Sequence, residues 1–207
     1  MGKALAAWFL LSAAAASTAT PREAVVTAVQ QVVTVLEQTA RSRAGAEPIS
    51  RATIQRGRVE MRRIATDLFD FDEVGRRVLG RHWAGRTPDE QAEFLALFTD
   101  LLERAYVGRI EAYSGERIVY AGEVVDGDYA LVRSRILTKR RTETALDYRL
   151  HRAAGRWKVY DVLIDGVSFV STYRSEFNRI IQVHSWDELM DRLRKKRVEV
   201  RTVLDRS

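Results

Sequence analysis

Hydrophobic residues recur along this chain with two different periods, and the changes of period divide it into three parts. From residue 21 to about residue 111, apolar residues recur every three or four positions, which predicts amphipathic helices. From about residue 117 to residue 164 they alternate with polar residues, which predicts β-strands. The helical period returns after residue 166. The order of elements is therefore helices, then a sheet, then helices again, which is typical of the α+β class.

Two of the predicted helices have recognisable starts. Thr87 supplies an N-cap, Pro88 suits the first helical position, and the acidic residues that follow suit the first turn. Asp70 followed by Glu73 has the spacing of a capping box before a short apolar stripe. Earlier, an amphipathic helix of about six turns is predicted from Pro21, and a second, less regular one follows the Gly45–Ser50 loop.

The alternating region divides into four strand candidates joined by short turns. They cover Arg117–Val125, Tyr129–Thr138, Ala145–Arg152 and Trp157–Ile164. Asp126-Gly127-Asp128 is a hairpin turn between the first two. Short connections between successive strands predict a twisted, four-stranded antiparallel meander, with the N-terminal helices packed on it and the C-terminal helices closing it.

The fourth strand and the helix after it carry more apolar surface than one covered face requires. Strict alternation places Trp157 and Val159 with Asp161 and Leu163 on one face of the strand, and Val162 on the other. After the Asp165-Gly166 turn, one side of a helix beginning at Val167 is also apolar. The wedge between such a helix and the sheet is either filled by side chains or open to an apolar ligand.

Both ends of the chain differ from its middle. Residues 1–19 contain Lys3, an apolar stretch and small residues before Ala16 and Ala19, which predicts a cleaved signal peptide. A membrane anchor or an ordinary first helix are the alternatives. The mature domain then covers residues 20–207 as one domain, and no cysteine is available for a disulfide or a lipid anchor.

The net charge is +6, and basic residues are densest in the C-terminal extension, 192–207. We interpret this end as solvated, and if it binds a partner, as facing an acidic protein or an anionic membrane rather than nucleic acid.

The residues that commonly carry catalysis do not form a local motif. The three histidines have no partner at motif spacing, and the sequence contains no nucleophile elbow, no phosphate-binding glycine loop and no paired-histidine metal motif. Asp161 with Tyr160 or Tyr148 is a conceivable acid and base, but an aspartate before an Asp-Gly turn is more typical of a structural role. The carboxylates from Asp67 to Glu73 fit helix capping better than metal binding. We therefore expect neither an enzyme nor a resident cofactor or metal.

In order and spacing, several segments resemble the MlaC family of periplasmic phospholipid-binding proteins, also called toluene-tolerance or ABC-transporter auxiliary proteins. The resemblance covers most of the mature chain, from about Val25 to Val198. The segments are FDFDEVGRRVLGRHW from Phe69, TPDEQ from Thr87 with Phe94 and Phe98, LDYRL from Leu146, WKVYDV from Trp157, GVSFV from Gly166 and YRSEF from Tyr173.

The resemblance implies a carrier without catalytic residues, whose cargo is phospholipid and whose fold has the cone shape of the nuclear-transport-factor type. Family members move lipid in the periplasm between an outer-membrane lipoprotein complex and an inner-membrane ABC transporter complex with an MCE-domain subunit, which maintains the lipid asymmetry of the outer membrane. An apolar cavity between sheet and helices is expected to hold the acyl chains. From the apolar faces described above, its lining is expected to include Val74, Leu79, Phe94, Phe98, Leu101, Tyr106, Tyr148, Trp157, Val159, Val162, Val167, Val170 and Tyr173. Two alternatives stay open, an enzyme of the same cone shape acting on an apolar small molecule, and a basic interaction module without a ligand.

Overall fold

The computed structural model of the protein describes residues 19–44, 50–138 and 142–196. Within these ranges it has the predicted α+β architecture, with six α-helices and one antiparallel sheet of five strands. The helices are α1 (Pro21–Ala44), α2 (Arg51–Leu68), α3 (Phe71–Leu79), α4 (Pro88–Glu111), α5 (Phe169–Val183) and α6 (Trp186–Arg194). The strands are β1 (Arg117–Asp126), β2 (Tyr129–Leu137), β3 (Glu143–Ala153), β4 (Arg156–Ile164) and β5 (Val167–Ser168). The predicted signal peptide, up to residue 18, and the C-terminal extension beyond residue 196 lie outside the described residues.

Helix starts follow local side-chain chemistry. Thr87 is the predicted N-cap of α4, and it forms a full capping box with Glu90, each side chain bonding the other residue's backbone N–H. Asp70 also caps α3, because its carboxylate accepts the N–H of Glu73 at 2.9 Å. The other half of this predicted capping box would be a bond between the Glu73 carboxylate and the Asp70 N–H. That part of the prediction is wrong. The Asp70 N–H donates to the carbonyl of Val159 at 2.9 Å, and the Glu73 carboxylate binds Arg76 and Arg77 instead.

The sheet is the predicted meander with one additional short strand. Its order is β1-β2-β3-β4-β5, and every neighbour is antiparallel. Asp165 and Gly166 both have positive φ, 47° and 80°, and form a two-residue turn that folds Val167 back onto Ile164. Val167 therefore belongs to a strand, and the helix begins at Phe169 rather than at Val167.

A bulge in β4 changes which of its residues share a face. Leu150 of β3 pairs with Val159, but the preceding Arg149 pairs with Asp161, so Tyr160 is an extra residue in β4. The extra residue shifts the alternation by one position. Val162 consequently packs in the same cluster as Val159, and the prediction that strict alternation separates them is wrong.

The apolar residues form two separate clusters. The helical cluster belongs to α3, α4, α5 and α6, and its fully packed members are Val74, Val78, Leu79, Phe94, Phe98, Leu101, Val170, Tyr173, Phe177, Ile180, Leu189, Met190 and Leu193. The sheet cluster lies between α1, α2 and one face of the sheet, and its members are Val25, Ala28, Ile64, Leu68, Ala130, Val132, Tyr148, Leu150, Trp157 and Val159. Each cluster packs its own elements, so their relative position depends on contacts at the border.

The central border contact is made by the Asp161 carboxylate. This side chain is 3% exposed and accepts the backbone N–H of Val170 at 3.0 Å and the hydroxyl of Ser168 at 2.7 Å. Arg149 contributes a third bond at 3.2 Å. Because Val170 belongs to the helical cluster and Asp161 to β4, the carboxylate fixes the start of α5 against the sheet.

We expect Asp161→Ala to lower the free energy of unfolding by about 3 kcal/mol, because it leaves the buried N–H of Val170 without its acceptor. Arg149→Ala is the matched control. Its guanidinium is 44% exposed, so the loss there should be about 1 kcal/mol or less. Urea unfolding followed by circular dichroism measures both values. Equal losses in the two variants would contradict the anchoring role of the carboxylate.

Candidate binding site

The structure distributes most of the predicted lining residues over both clusters. Seven belong to the helical cluster, namely Val74, Leu79, Phe94, Phe98, Leu101, Val170 and Tyr173. Tyr148, Trp157 and Val159 are buried in the sheet cluster, and Val162 packs against it while partly buried. The predicted residues are therefore grouped, but in two places that face different helices.

Two of the predicted residues lie in neither buried group. Tyr106 is partly buried on α4, with its ring 5.6 Å from that of Phe169, which in turn contacts Tyr173 at 4.7 Å. Val167 is 47% exposed in β5. The Asp165-Gly166 turn places it at the sheet edge before the helix begins, so Val167 does not join the apolar face to which helical spacing assigned it.

Each cluster is flanked by apolar side chains that are only partly buried. Leu102 and Phe169 flank the helical cluster, and Leu146 and Val162 flank the sheet cluster. The members of both clusters are 9% exposed or less, so the flanking side chains are more accessible than the interior. Phe169 directly precedes Val170, whose N–H binds Asp161 of β4, so it lies where the two clusters meet. Flanking side chains of this kind offer apolar surface to a ligand without the loss of either cluster.

Helices α2 and α4 face each other across the two clusters and are joined by two ion pairs. Helix α2 packs in the sheet cluster and α4 in the helical cluster. Arg58 binds Glu111 through two bonds of 2.7 and 3.0 Å, and Arg62 binds Glu103. We refer to these four side chains as the α2–α4 clasp. The two arginines are 40% and 62% exposed and the glutamates 20% and 28%, so water screens the clasp more than it screens the buried carboxylate of Asp161.

A hollow of about 280 Å³ opens between α1, α2 and the turn that joins β3 to β4. Its lining combines small and apolar side chains with polar ones, and comprises Ala19, Glu23, Ala24, Thr27, Ala28, Gln31, Ile64, Asp67, Leu68, Gly155, Arg156 and Trp157. Trp157 is the predicted lining residue that borders it. Small-molecule sites commonly occupy about 300–1,000 Å³, so this hollow is at the lower limit of that range. A second, more open hollow of about 400 Å³ lies on the outer surface of α2.

Three hydroxyl groups interrupt the apolar face of the sheet. Tyr120 on β1 is directly opposite Ser134 on β2, and Tyr148 on β3 is one row away, opposite Val132. We refer to Tyr120, Ser134 and Tyr148 as the hydroxyl row. Burial raises the pKa of both tyrosines. Sequence reasoning included only Tyr148. The alternation of β1 and β2 places the other two on the same face, and this signal could have found them.

The conceivable catalytic pair does not form. The oxygens of Asp161 are bonded to Ser168, Val170 and Arg149, while the ring of Tyr160 lies under the guanidinium of Arg77 at 4.1 Å. Tyr148 points into the sheet cluster. Asp161 therefore has the structural role that its place before the turn indicates.

Two further features concern metals and membranes. Within residues 19–44, 50–138 and 142–196 the structure contains no group of three or more acidic, histidine or cysteine side chains suited to a metal ion. His151, for which the sequence offered no partner, bonds Asp70 at 2.9 Å across 81 positions of the chain. Among the helices in this part of the chain, none has the length and apolar character needed to cross a membrane.

Comparison with known proteins gives three consistent matches. The family model described as MlaC protein matches residues 27–195. The intermembrane phospholipid transport system binding protein MlaC of Haemophilus influenzae is 24% identical over 131 residues, which is 61% of this chain and 61% of that protein. The alignment thus spans about three fifths of the length of this curated relative. A phospholipid-binding protein from Ralstonia solanacearum, solved in complex with a phospholipid, superposes with a TM-score of 0.72 at 25% identity, covering 84% of this chain and 94% of that one.

Proposed function

Because this chain belongs to the MlaC family, we propose that it is a phospholipid carrier that holds acyl chains between its helical cluster and its sheet cluster. The observation that carries this proposal is the likeness in fold, over most of the chain, to a protein solved with a phospholipid bound. Lipid binding also agrees with the name of the Haemophilus influenzae relative, which is a binding protein of an intermembrane transport system.

The energetics of acyl chains explain why such a carrier requires a large apolar surface. Burial is worth roughly 0.8 kcal/mol per methylene group, so two chains of about 16 carbons represent on the order of 25 kcal/mol. A bilayer supplies the same apolar surroundings. The difference between a carrier and a membrane is therefore small, and lipid can be exchanged without any covalent step. The headgroup should stay near solvent, which predicts weak selectivity for it.

We place the acyl chains at the border between the clusters rather than inside either of them. Val162 and Tyr106 are partly buried there, near residues of the buried groups such as Tyr148 and Tyr173. Deeply packed side chains such as Phe94 are 0% exposed and stabilise the helices whether or not lipid is bound. Bound lipid would then lie between the two clusters and pack against both of them.

We further propose that the protein works in the periplasm, between an inner-membrane ABC transporter complex with an MCE-domain subunit and an outer-membrane lipoprotein complex. The signal-peptide pattern of residues 1–19 supports export. The basic C-terminal end has fewer charges available for docking than its composition suggests. Arg194 is already paired with Glu93, and Lys195 with Asp191.

The central test of the proposal is lipid bound to the purified protein. Organic extraction followed by mass spectrometry should recover phospholipid in stoichiometric amount. Val162→Trp, which fills the border from the sheet side, should reduce the recovered lipid several-fold. Val124→Trp is the matched control, because Val124 is 52% exposed on β1 of the same sheet and should retain the lipid. If the parent protein carries no phospholipid after mild purification, the proposed function is wrong.

The clasp yields a kinetic prediction. Replacing Glu103 and Glu111 with Gln removes the charges that hold α2 to α4, so lipid exchange with vesicles should become several-fold faster. The melting temperature should fall by only a few degrees, because ion pairs that water partly screens contribute little stability. Fluorescent-lipid transfer between vesicle populations measures the rate. Glu60→Gln, which breaks an ion pair within α2, is the control and should leave the rate unchanged. An unaltered rate in the double variant would show that the clasp does not limit exchange.

A further inference from the structure

The hydroxyl row lies on an otherwise apolar face of the sheet. Ser134 is 1% exposed and Tyr148 is 6% exposed, and the neighbouring side chains on that face include Val132 and Leu150, both at 0%. Tyr120 packs against the margin of the sheet cluster. Three hydroxyl groups at adjacent positions on a buried face require hydrogen-bond partners, because water does not reach them.

Two of these hydroxyl groups have hydrogen-bond partners within the protein. The Ser134 hydroxyl donates to the carbonyl of Leu146 at 2.6 Å. Ser134 is in turn the hydrogen-bonding neighbour of the Tyr148 hydroxyl. The Tyr120 hydroxyl is different, since it is buried and has no hydrogen-bond partner among the described residues. A phenylalanine would fill the same volume without burying a polar group, so this donor is suited to an acceptor that the protein itself does not supply.

The surroundings of Tyr120 favour an uncharged acceptor. Burial raises the pKa of this phenol, with the charge of Arg22 acting in the opposite direction. The Arg22 guanidinium lies over the ring, 6.0 Å from its centre, and the backbone N–H of Arg22 donates to the carboxylate of Glu123. A phosphate or carboxylate at the hydroxyl would lose its hydration within an apolar cluster, and a guanidinium at the outer side of the ring offsets only part of that loss. A carbonyl oxygen accepts the same hydrogen bond with far less loss of hydration.

We propose that the Tyr120 hydroxyl donates a hydrogen bond to an ester carbonyl of the cargo, and that the protein thereby prefers ester-linked lipids to ether-linked lipids of equal chain length and headgroup. The ester carbonyl lies where each acyl chain joins the glycerol, which is the first polar group above the buried methylenes. Tyr120 would therefore set how deep the chains descend along the sheet. This inference rests on the proposed function and assigns the chemical class of its ligand.

The test offers the full-length protein both lipid types at once. Delipidated protein is incubated with vesicles containing equal amounts of dipalmitoyl phosphatidylethanolamine and its dihexadecyl ether analogue, recovered, and extracted for mass spectrometry. We expect the parent to load the ester lipid about three- to tenfold in excess, as one hydrogen bond allows. Tyr120→Phe should load similar total lipid at a ratio near one. Tyr113→Phe is the matched control, because its hydroxyl bonds the carbonyl of Glu116 within its own turn, and it should keep the parent ratio.

The outcomes separate this inference from the function on which it rests. Loading of both lipids in equal amounts by the parent, or an unchanged preference in Tyr120→Phe, would overturn the inference while supporting a lipid carrier. Loading of neither lipid by the parent would overturn the proposed function and the inference with it. The melting temperature of lipid-free Tyr120→Phe provides an independent check. It should equal or exceed that of the parent, and a clear decrease would show that the hydroxyl serves the protein itself, contrary to the inference.

Discussion

A buried carboxylate at the border of two hydrophobic clusters is the interaction on which the arrangement of this protein depends. Each cluster is packed well enough to hold its own elements, but neither contains the residues that position the other. Asp161 supplies the connection from within β4 by accepting the N–H of Val170 in the first turn of α5. The nearby bond from the Asp70 N–H to the Val159 carbonyl ties the start of α3 to the same strand. Both contacts use β4, so this strand is the common support of the two halves.

A divided core has a consequence for a protein that must take up and release a large apolar ligand. A continuous core would have to be disrupted to admit acyl chains, with a loss of packing on every side. Here the members of each cluster are buried, whereas flanking apolar side chains such as Phe169 and Val162 are only partly buried. Lipid bound against these flanking side chains would replace the contacts that are lost. The two α2–α4 ion pairs are of a suitable strength for the border between the clusters, because pairs that water partly screens are weaker than buried ones.

The sheet cluster contains hydroxyl groups in addition to its apolar side chains. A wall built only of aliphatic side chains would bind any hydrocarbon of the right length, whereas a buried donor distinguishes ligands that present an acceptor from those that do not. In the proposed carrier, the Tyr120 hydroxyl would add chemical selectivity at small loss of apolar area. The place of the hydroxyl row on the sheet, rather than on a helix, keeps it at a constant depth, because the ladder of β1, β2 and β3 fixes its members relative to one another.

Local signals in the sequence determined much of the fold. The Thr87 N-cap, the hairpin turn after β1 and the change from a helical to an alternating period each depend on residues close together in the chain, so they could be read without the structure. The buried positions of α4 and α5 follow from the same periodicity. Only the tertiary structure decided which apolar residues share a cluster. The bulge at Tyr160 moves Val162 onto the face of Val159, and the Asp165-Gly166 turn moves Val167 to the sheet edge. A periodic pattern assigns residues to faces by counting positions along the chain. It therefore does not detect the extra residue of a bulge, which shifts every later residue to the other face. Partners such as Asp161 with Val170, or Asp70 with His151, depend on the folding of whole elements onto one another, which no local pattern encodes.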